Sequence, residues 1–162
     1  MDDLETLYRT HAAAILRFSC GLCGNWAWAQ DIVSETFVRL LTHAPRIETR
    51  TARAYLLAIA RNVFLQGRRR RVRETEVPDD VVAPGHDPDE RLDSRARLAA
   101  VMRALASLPE GERAALLLRV DHELSYDDIA AALGISEGAA RVRVHRARLR
   151  LAETTGSERR QR

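Results

Sequence analysis

The sequence predicts an all-α protein in which two small helical domains are joined by a flexible acidic linker. Strand-favouring runs are nearly absent, whereas Ala, Leu, Arg and Glu, which favour helix, dominate long stretches. Apolar residues recur at the three- and four-residue spacing of a helix. The formal charge falls into three blocks, with net +5 over residues 1–71, −6 over 72–93 and +4 over 94–162. A chain of 162 residues is long enough for two such domains.

The first basic block, residues 1–71, predicts three helices. They run from Leu4 to about Ser19, from Ala27 to Leu41, and from Thr51 to about Arg71. The second helix has a core-facing stripe at helical spacing, formed by Val33, Phe37, Leu40 and Leu41. The third is apolar nearly all round at its start, which predicts a central position. It ends in four consecutive arginines, and positive charge is favoured at a helix C-terminus.

The acidic block, residues 72–93, has no apolar period and contains three prolines and a glycine, which predicts an extended linker. The second basic block predicts four helices and a disordered tail. The helices span about residues 94–107, 110–121, 125–133 and 137–153, and the tail spans 154–162. Within this block, residues 94–153 form the predicted second domain.

The segment SYDDIAAALGISEGAARVRVHRARLRL, residues 125–151, has the spacing of a helix-turn-helix. Ser125 and Ser136 are suitable N-caps, and Gly134 can adopt the positive φ that the tight turn needs. On a helical wheel, the second helix has a seam of small and apolar residues on one side: Ala140, Val144, Ala147 and Leu151. The opposite side is an uncharged ridge flanked by arginines, which suits insertion into a DNA major groove.

Other classes of protein are not indicated. No apolar run is long enough to cross a membrane, the polar N-terminus is unlike a secretory signal, and a cytoplasmic location is expected. No nucleophile–base pair, phosphate-binding loop or carboxylate pair suggests an enzyme, so catalytic residues and cofactors are expected to be absent. Cys20 and Cys23 form a CxxC without the context of a redox motif or the four ligands of structural zinc, and no metal site is predicted.

Two segments resemble a known family. LSYDDIAAALGISEGAARVRVHRARLRL resembles the region-four pattern LSYxEIAxxLGISxGTVxSRxHRARxxL of the extracytoplasmic-function, or group-four, sigma factors of bacterial RNA polymerase. AQDIVSETFVRLL and ARAYLLAIARNVFLQGRRRR resemble the family's region-two patterns AEDLVQETFxRxW and FRxWLxxIARNxxxDxxRRR. The resemblance covers nearly everything except the linker and the tail.

This resemblance implies an alternative sigma factor that binds core RNA polymerase through its clamp helices and flap. It would read the minus-ten and minus-thirty-five promoter elements of a stress or signal regulon. An anti-sigma factor is expected as a further partner, because exposed polymerase- and DNA-binding surfaces need silencing. The alternative is a transcription regulator of the two-component output type, which shares the carboxy-terminal pattern but dimerises on a palindrome.

The resemblance also assigns residues to three surfaces. Core polymerase would contact Asp31, Ser34, Glu35 and Val38. The minus-ten element would contact Arg46, Arg50, Arg53, Tyr55, Arg61, Asn62, Arg68 and Arg69. The minus-thirty-five element would contact Ser136, Glu137, Gly138, Arg141, Val142, Arg143, His145 and Arg146.

Simpler interpretations remain open for some of these residues. Tyr55 stands where the family usually has Trp, and core packing would explain it equally well. Asn62 could be an ordinary surface residue of a helix, and the arginine run a C-terminal charge cluster. Val142 replaces the family's usual Ser and can offer only apolar contact, which predicts a different minus-thirty-five preference at that step.

Overall fold

The computed structural model describes residues 3–74 and 88–160, and these ranges contain seven α-helices and no strand. The all-α prediction is therefore confirmed. The helices are α1 Leu4–Cys23, α2 Trp26–Thr42, α3 Ala52–Glu74, α4 Pro88–Ala106, α5 Glu110–Val120, α6 Tyr126–Leu133 and α7 Glu137–Arg160.

A tight turn joins α1 to α2. Gly24 has φ +66° and ends α1 by donating its N–H to the carbonyl of Cys20 at 2.8 Å. Asn25 then caps α2, because its side-chain oxygen accepts a hydrogen bond from the N–H of Trp28 at 2.7 Å. Glycine tolerates the left-handed conformation without strain, so these two residues reverse the chain within a minimal length.

Helices α3 and α4 extend into both ends of the predicted linker, residues 72–93. Helix α3 continues to Glu74 and α4 begins at Pro88, so both ends of the segment are helical; residues 75–87 lie outside the described residues. Proline is favoured at the first position of a helix, where no N–H is needed. Pro88, interpreted as a sign of extended chain, instead starts a helix.

The predicted disordered tail, residues 154–162, is also wrong over its described part. Helix α7 continues to Arg160. Extending an existing helix costs far less than nucleating a new one, so a polar segment can continue it. The hydroxyls of Thr154 and Thr155 also donate hydrogen bonds within the helix, to the carbonyls of Arg150 and Leu151 at 3.0 and 2.9 Å.

One continuous apolar cluster contains buried residues of both halves of the chain. Helices α1, α2 and α3 pack together around Phe18, Ile32 and Leu57, whereas α5 and α6 pack on α7. The two halves also touch, because α1 packs against α4 and α5, and α3 packs against α6. The predicted α2 stripe is partly wrong: Val33 and Phe37 are buried, but Leu41 is 64% exposed, and the stripe omitted Ile32, which is 1% exposed.

Candidate nucleic-acid interface

Helices α6 and α7 form the predicted helix-turn-helix. The hydroxyl of Ser125 accepts the N–H of Asp128 at 3.2 Å, and that of Ser136 accepts the N–H of Ala139 at 3.1 Å, so both predicted caps are present. Gly134 adopts φ +64°, and the N–H of Ile135 donates to the carbonyl of Ala130 at 3.0 Å. These bonds satisfy the end of α6 and fix the direction in which α7 leaves the turn.

Helix α7 has the two faces that the wheel predicts. Ala140, Val144 and Ala147 are at most 1% exposed. On the opposite side, Val142 is 45% exposed and Leu149 is 51% exposed. The small buried residues allow α7 to approach α5 and α6 closely, and the apolar ridge is left facing outward.

Arg141 is held in place at the start of this exposed face. Its Nη2 donates to Glu137 at 2.7 Å, and its guanidinium carbon lies 4.3 Å from the centre of the Tyr126 ring. The guanidinium of Arg119 lies 4.4 Å from the same ring, so Tyr126 interacts with two cations. Tyr126 and Arg119 were absent from the sequence prediction, because nothing in the sequence links them to a residue on a later helix.

Carboxylates at the turn interact with one another as well as with this arginine. A hydrogen bond with Glu137, together with the nearby charge of Glu137, raises the pKa of Asp127 above its ordinary value. The hydrogen bond from Arg141, followed by the one from Asp127, lowers the pKa of Glu137. Glu137 is therefore the more acidic member of the pair, and its hydrogen bond keeps Arg141 near the start of α7.

The predicted minus-thirty-five residues are brought together on α7, with one exception. Seven of the eight are exposed: Ser136, Glu137, Gly138, Arg141, Val142, His145 and Arg146. Arg143 is only half-exposed, and its guanidinium covers Gly111 of α5 so closely that an added Cβ would lie 2.5 Å from it. Arg150 also turns toward α5 and pairs with Glu112 at 2.8 Å. Arg146 and Arg150 are both exposed on that edge of the ridge, but Arg150 is engaged by Glu112.

The predicted minus-ten residues divide into two groups. Arg46, Arg68 and Arg69 are exposed, and the Arg68 guanidinium lies 6.0 Å from the Phe64 ring. Asn62 and Tyr55 are half-buried, and the Tyr55 hydroxyl donates to the carbonyl of Pro45 at 2.8 Å. Tyr55 therefore holds the loop between α2 and α3 against α3. This role differs from both core packing and contact with the minus-ten element, the two roles predicted for Tyr55.

The remaining three of these residues contact the carboxy-terminal helices. Arg61 is 9% exposed and makes two hydrogen bonds to Glu110, from Nε at 2.9 Å and from Nη2 at 2.8 Å. The backbone N–H of Arg50 donates to Asp128 at 2.8 Å. The Arg53 Nη2 lies 2.9 Å from Nδ1 of His122. The structure does not leave the predicted minus-ten residues as one open surface.

The four predicted polymerase-binding residues lie along one side of α2. Asp31, Ser34 and Val38 are exposed, and Glu35 is half-exposed. Glu35 pairs with Arg39 at 2.9 Å, and Arg39 also donates to Gln66 of α3 at 2.6 Å. Asp31 and Glu35 border an open groove between α2 and α3 whose other wall includes Arg70. The groove thus presents both signs of charge to a partner.

Cys20 and Cys23 are free thiols in the structure. Burial raises the pKa of both, and that of Cys23 reaches about 11, so neither is a reactive thiolate at neutral pH. Across residues 3–74 and 88–160, no three potential ligands are grouped as a metal site would require. Within the same ranges, no helix has the length and apolar character needed to cross a bilayer.

Family comparisons match both halves of the chain in order. Residues 7–74 match the Sigma-70 region 2 family, and residues 98–151 match Sigma-70, region 4. The ECF RNA polymerase sigma factor SigE of Mycolicibacterium smegmatis is 36% identical over 156 residues, which cover 93% of this chain and 61% of SigE. This chain thus spans less than two thirds of that relative. SigL of Mycobacterium tuberculosis is 32% identical over 88% of this chain and 82% of its own.

Solved structures agree with this assignment. A sigma factor RpoE from Bartonella quintana, crystallised with the anti-sigma factor NepR, superimposes with a TM-score of 0.75 and 28% identity over 94% of this chain and 96% of its own. CnrH, in complex with the cytosolic domain of CnrY, shares the fold at a TM-score of 0.70 and 23% identity. The region-two match lies within α1–α3 and the region-four match within α4–α7, and the chain belongs to the ECF RNA polymerase sigma factors.

Proposed function

We propose that this protein is an alternative sigma factor that binds core RNA polymerase and directs it to promoters with particular minus-ten and minus-thirty-five elements. The observation that carries the proposal is the helix-turn-helix of α6 and α7, which follows a region-two match in the same chain. A simple repressor needs only the helix-turn-helix. A protein that also contains region two has the parts required to engage polymerase.

In this proposal, α7 enters the major groove of the minus-thirty-five element. Arg141 and Arg146 lie on opposite edges of the exposed ridge, where guanidinium groups can reach phosphates or guanine edges. Val142, between them, is 45% exposed and offers a methyl surface to a thymine. Arg143 contributes less than its sequence position suggests, because it rests on α5.

Region two supplies the other contacts in this proposal. The exposed side of α2, with Asp31 and Val38, meets the clamp helices of polymerase, and the loop before α3 reads the minus-ten element. The exposed arginines after Asn62 follow the DNA backbone. An anti-sigma factor is proposed as the regulatory partner, since a sigma factor of the same fold was crystallised with the anti-sigma factor NepR.

Run-off transcription with purified core polymerase on a genomic promoter library tests this function. The expected result is promoter-specific transcripts that require the protein, whose start sites define both elements. Association with core polymerase is scored in parallel by size-exclusion chromatography. Failure to associate with core polymerase, combined with tight dimeric binding to a palindrome, would favour the regulator alternative instead.

A further inference from the structure

Three arginines follow one edge of α7, and α5 engages two of them. Arg143, Arg146 and Arg150 share this edge because residues three and four apart lie on the same side of a helix. The guanidinium of Arg143 lies over Gly111. Nε of Arg150 lies 2.8 Å from Oε2 of Glu112. Since Gly111 and Glu112 are neighbours in the first turn of α5, one short segment engages both arginines.

The backbone at Gly111 does not require a glycine. This residue lies inside helix α5, and the glycines with positive φ in the described part of the chain are Gly24 and Gly134. Within a helix, glycine is less favourable than alanine because it loses more backbone freedom on folding. A Cβ at this position would lie 2.5 Å from Nη1 and 3.1 Å from Cζ of Arg143. The absence of a side chain therefore makes the space in which Arg143 rests on α5.

Glu112 engages the second arginine by charge. Glu112 is 8% exposed, whereas the side chain of Arg150 is 55% exposed. The contact is an ion pair rather than a well-aligned hydrogen bond, because Oε2 accepts no hydrogen bond from the described residues. A carboxylate is rarely buried without an opposite charge, and the first turn of a helix favours a negative one. The buried carboxylate thus draws an exposed guanidinium toward the surface of α5.

Engaging these arginines reduces the charge that α7 can present to DNA. Residues 141–150 contain five arginines, and α5 leaves three of them exposed without engaging them: Arg141, Arg146 and Arg148. Phosphate contacts supply affinity without reading sequence, so losing them weakens binding to every sequence by a similar factor. Because a genome offers a large excess of non-specific sites, a lower general affinity keeps the free chain from being retained on them.

We propose that the first turn of α5 limits sequence-independent DNA binding by keeping Arg143 and Arg150 off the phosphate backbone. The inference rests on the proposed function, in which α7 enters the major groove. Gly111 and Glu112 are positioning residues in this account, because they act through the two arginines and not through contact with DNA.

The test measures how the affinity of the full-length chain for DNA depends on salt. Gly111→Ala places a methyl group where the guanidinium of Arg143 rests, and the flexible arginine can move aside without any change of charge. Gly156→Ala is the matched control, because no atom lies within 4 Å of its added Cβ. Fluorescence anisotropy with a fluorescein-labelled DNA duplex of mixed sequence gives the association constant at each salt concentration.

A second variant, Glu112→Gln, releases Arg150 independently of Gly111. Its control is Glu5→Gln, which removes the same charge from an exposed pair with Arg9 on α1. Circular dichroism shows whether each variant keeps its helices. If the loss of the buried carboxylate unfolds the protein, the comparison at Gly111 decides the question alone.

Gly111→Ala and Glu112→Gln should each steepen the slope of log affinity against log salt concentration by about 0.9 relative to its control, which corresponds to one added phosphate contact. Such a change is worth about eightfold in affinity for each tenfold change in salt concentration. Slopes equal to those of the controls would overturn the inference.

A double variant shows whether the gain comes from Arg143. Adding Arg143→Gln to Gly111→Ala should return the slope to the wild-type value. A slope that stays steep would mean that another group supplies the new contact. A slope below that of the wild type would mean that Arg143 already contacts DNA. Either result would overturn the inference for this arginine.

Run-off transcription with core polymerase separates this inference from the proposed function. Steeper slopes in both variants, but no promoter-specific transcripts from the wild type or any variant, would leave the inference standing and contradict the sigma function. Promoter-specific transcripts together with unchanged slopes would contradict the inference and leave the sigma function standing.

Discussion

The guanidinium of Arg141 rests on the ring of Tyr126, 4.3 Å from its centre, while Glu137 holds the same group from the side at 2.7 Å. A residue of α6 thereby orients a residue of α7 that the proposed function places against DNA. Such a fixed guanidinium loses less conformational freedom on binding than one that moves freely.

Removing the Tyr126 ring should therefore weaken minus-thirty-five binding without removing any DNA contact. Tyr126→Leu is expected to cost about 1 kcal/mol in promoter affinity, about fivefold, because the cation–π contact is lost. Tyr126→Phe keeps the aromatic face and should retain wild-type affinity. Equal losses in both variants, measured by holoenzyme binding to duplex promoter DNA, would point to the hydroxyl and argue against stacking.

Arg146 should be the most sensitive arginine on its edge of the ridge, because Arg143 rests on α5 and Arg150 pairs with Glu112. Arg146→Ala is expected to cost about 1–3 kcal/mol at the minus-thirty-five element. Arg159→Ala removes an exposed arginine from the last turn of the same helix and serves as the control. The measurement is run-off transcription from a promoter that depends on this element, and equal activity of the two variants would remove Arg146 from readout.

The α2 surface should determine binding to core polymerase. Reversing two charges with Asp31→Arg and Glu35→Arg is expected to abolish holoenzyme formation, measured by co-elution with core polymerase. Because Glu35 also pairs with Arg39, circular dichroism must show that the helices persist. The control is Glu5→Arg on α1, which reverses an exposed charge away from α2. Normal assembly of the double variant would contradict the assignment of this face.

His122 should make stability depend on pH. Its folded-state pKa, lowered to about 4 mainly by burial, lies below the ordinary value near 6.5. The unfolded chain therefore binds more protons between these values, and stability is present in full above about pH 6.5 and falls as the pH drops toward 4. The loss should reach at most about 3 kcal/mol, and chemical denaturation of wild type and His122→Gln at several pH values isolates it. Identical pH dependence of the two proteins would contradict the prediction.

Gly134 should be costly to replace, because its φ of +64° disfavours any residue with a Cβ. Gly134→Ala is expected to lower the free energy of unfolding by about 1 kcal/mol. No atom lies within 4 Å of the added Cβ, so the cost is conformational rather than steric. Gly156→Ala, in the regular helix α7 and equally unobstructed, should be neutral or stabilising by a few tenths of a kcal/mol. Thermal denaturation of both variants distinguishes a backbone effect from a general intolerance of alanine.

Helical periodicity was a reliable guide where one helix carries the whole pattern. The buried seam of α7, its exposed ridge and the caps at Ser125 and Ser136 all follow from local sequence, and the structure has each of them. The limits of α4 and α7 were predicted less well, since Pro88 fits a helix start as readily as an extended linker. Leu41 fits the period of α2 but lies beyond the reach of the other helices.

No local sequence pattern could predict the contacts between the two regions. Arg61 and Glu110 are 49 residues apart, and Arg53 and His122 are 69 apart. Each of these residues is an ordinary polar residue in its local sequence, and only the packing of the two halves of the chain makes them partners. The same holds for Tyr126 and Arg119, whose ring–cation contact depends on the angle between two helices.

Arg113 ties a main-chain oxygen near the end of α1 to the carbonyls of Ala106 and Leu108 in its own region. A side chain of the carboxy-terminal half thus satisfies a main-chain acceptor of the amino-terminal half. Chimaeras built by exchanging these halves between sigma factors would lose that complementarity even when each half came from a functional parent. Residues of one half that contact the other half must therefore be inherited together, which limits how freely evolution can recombine the two halves.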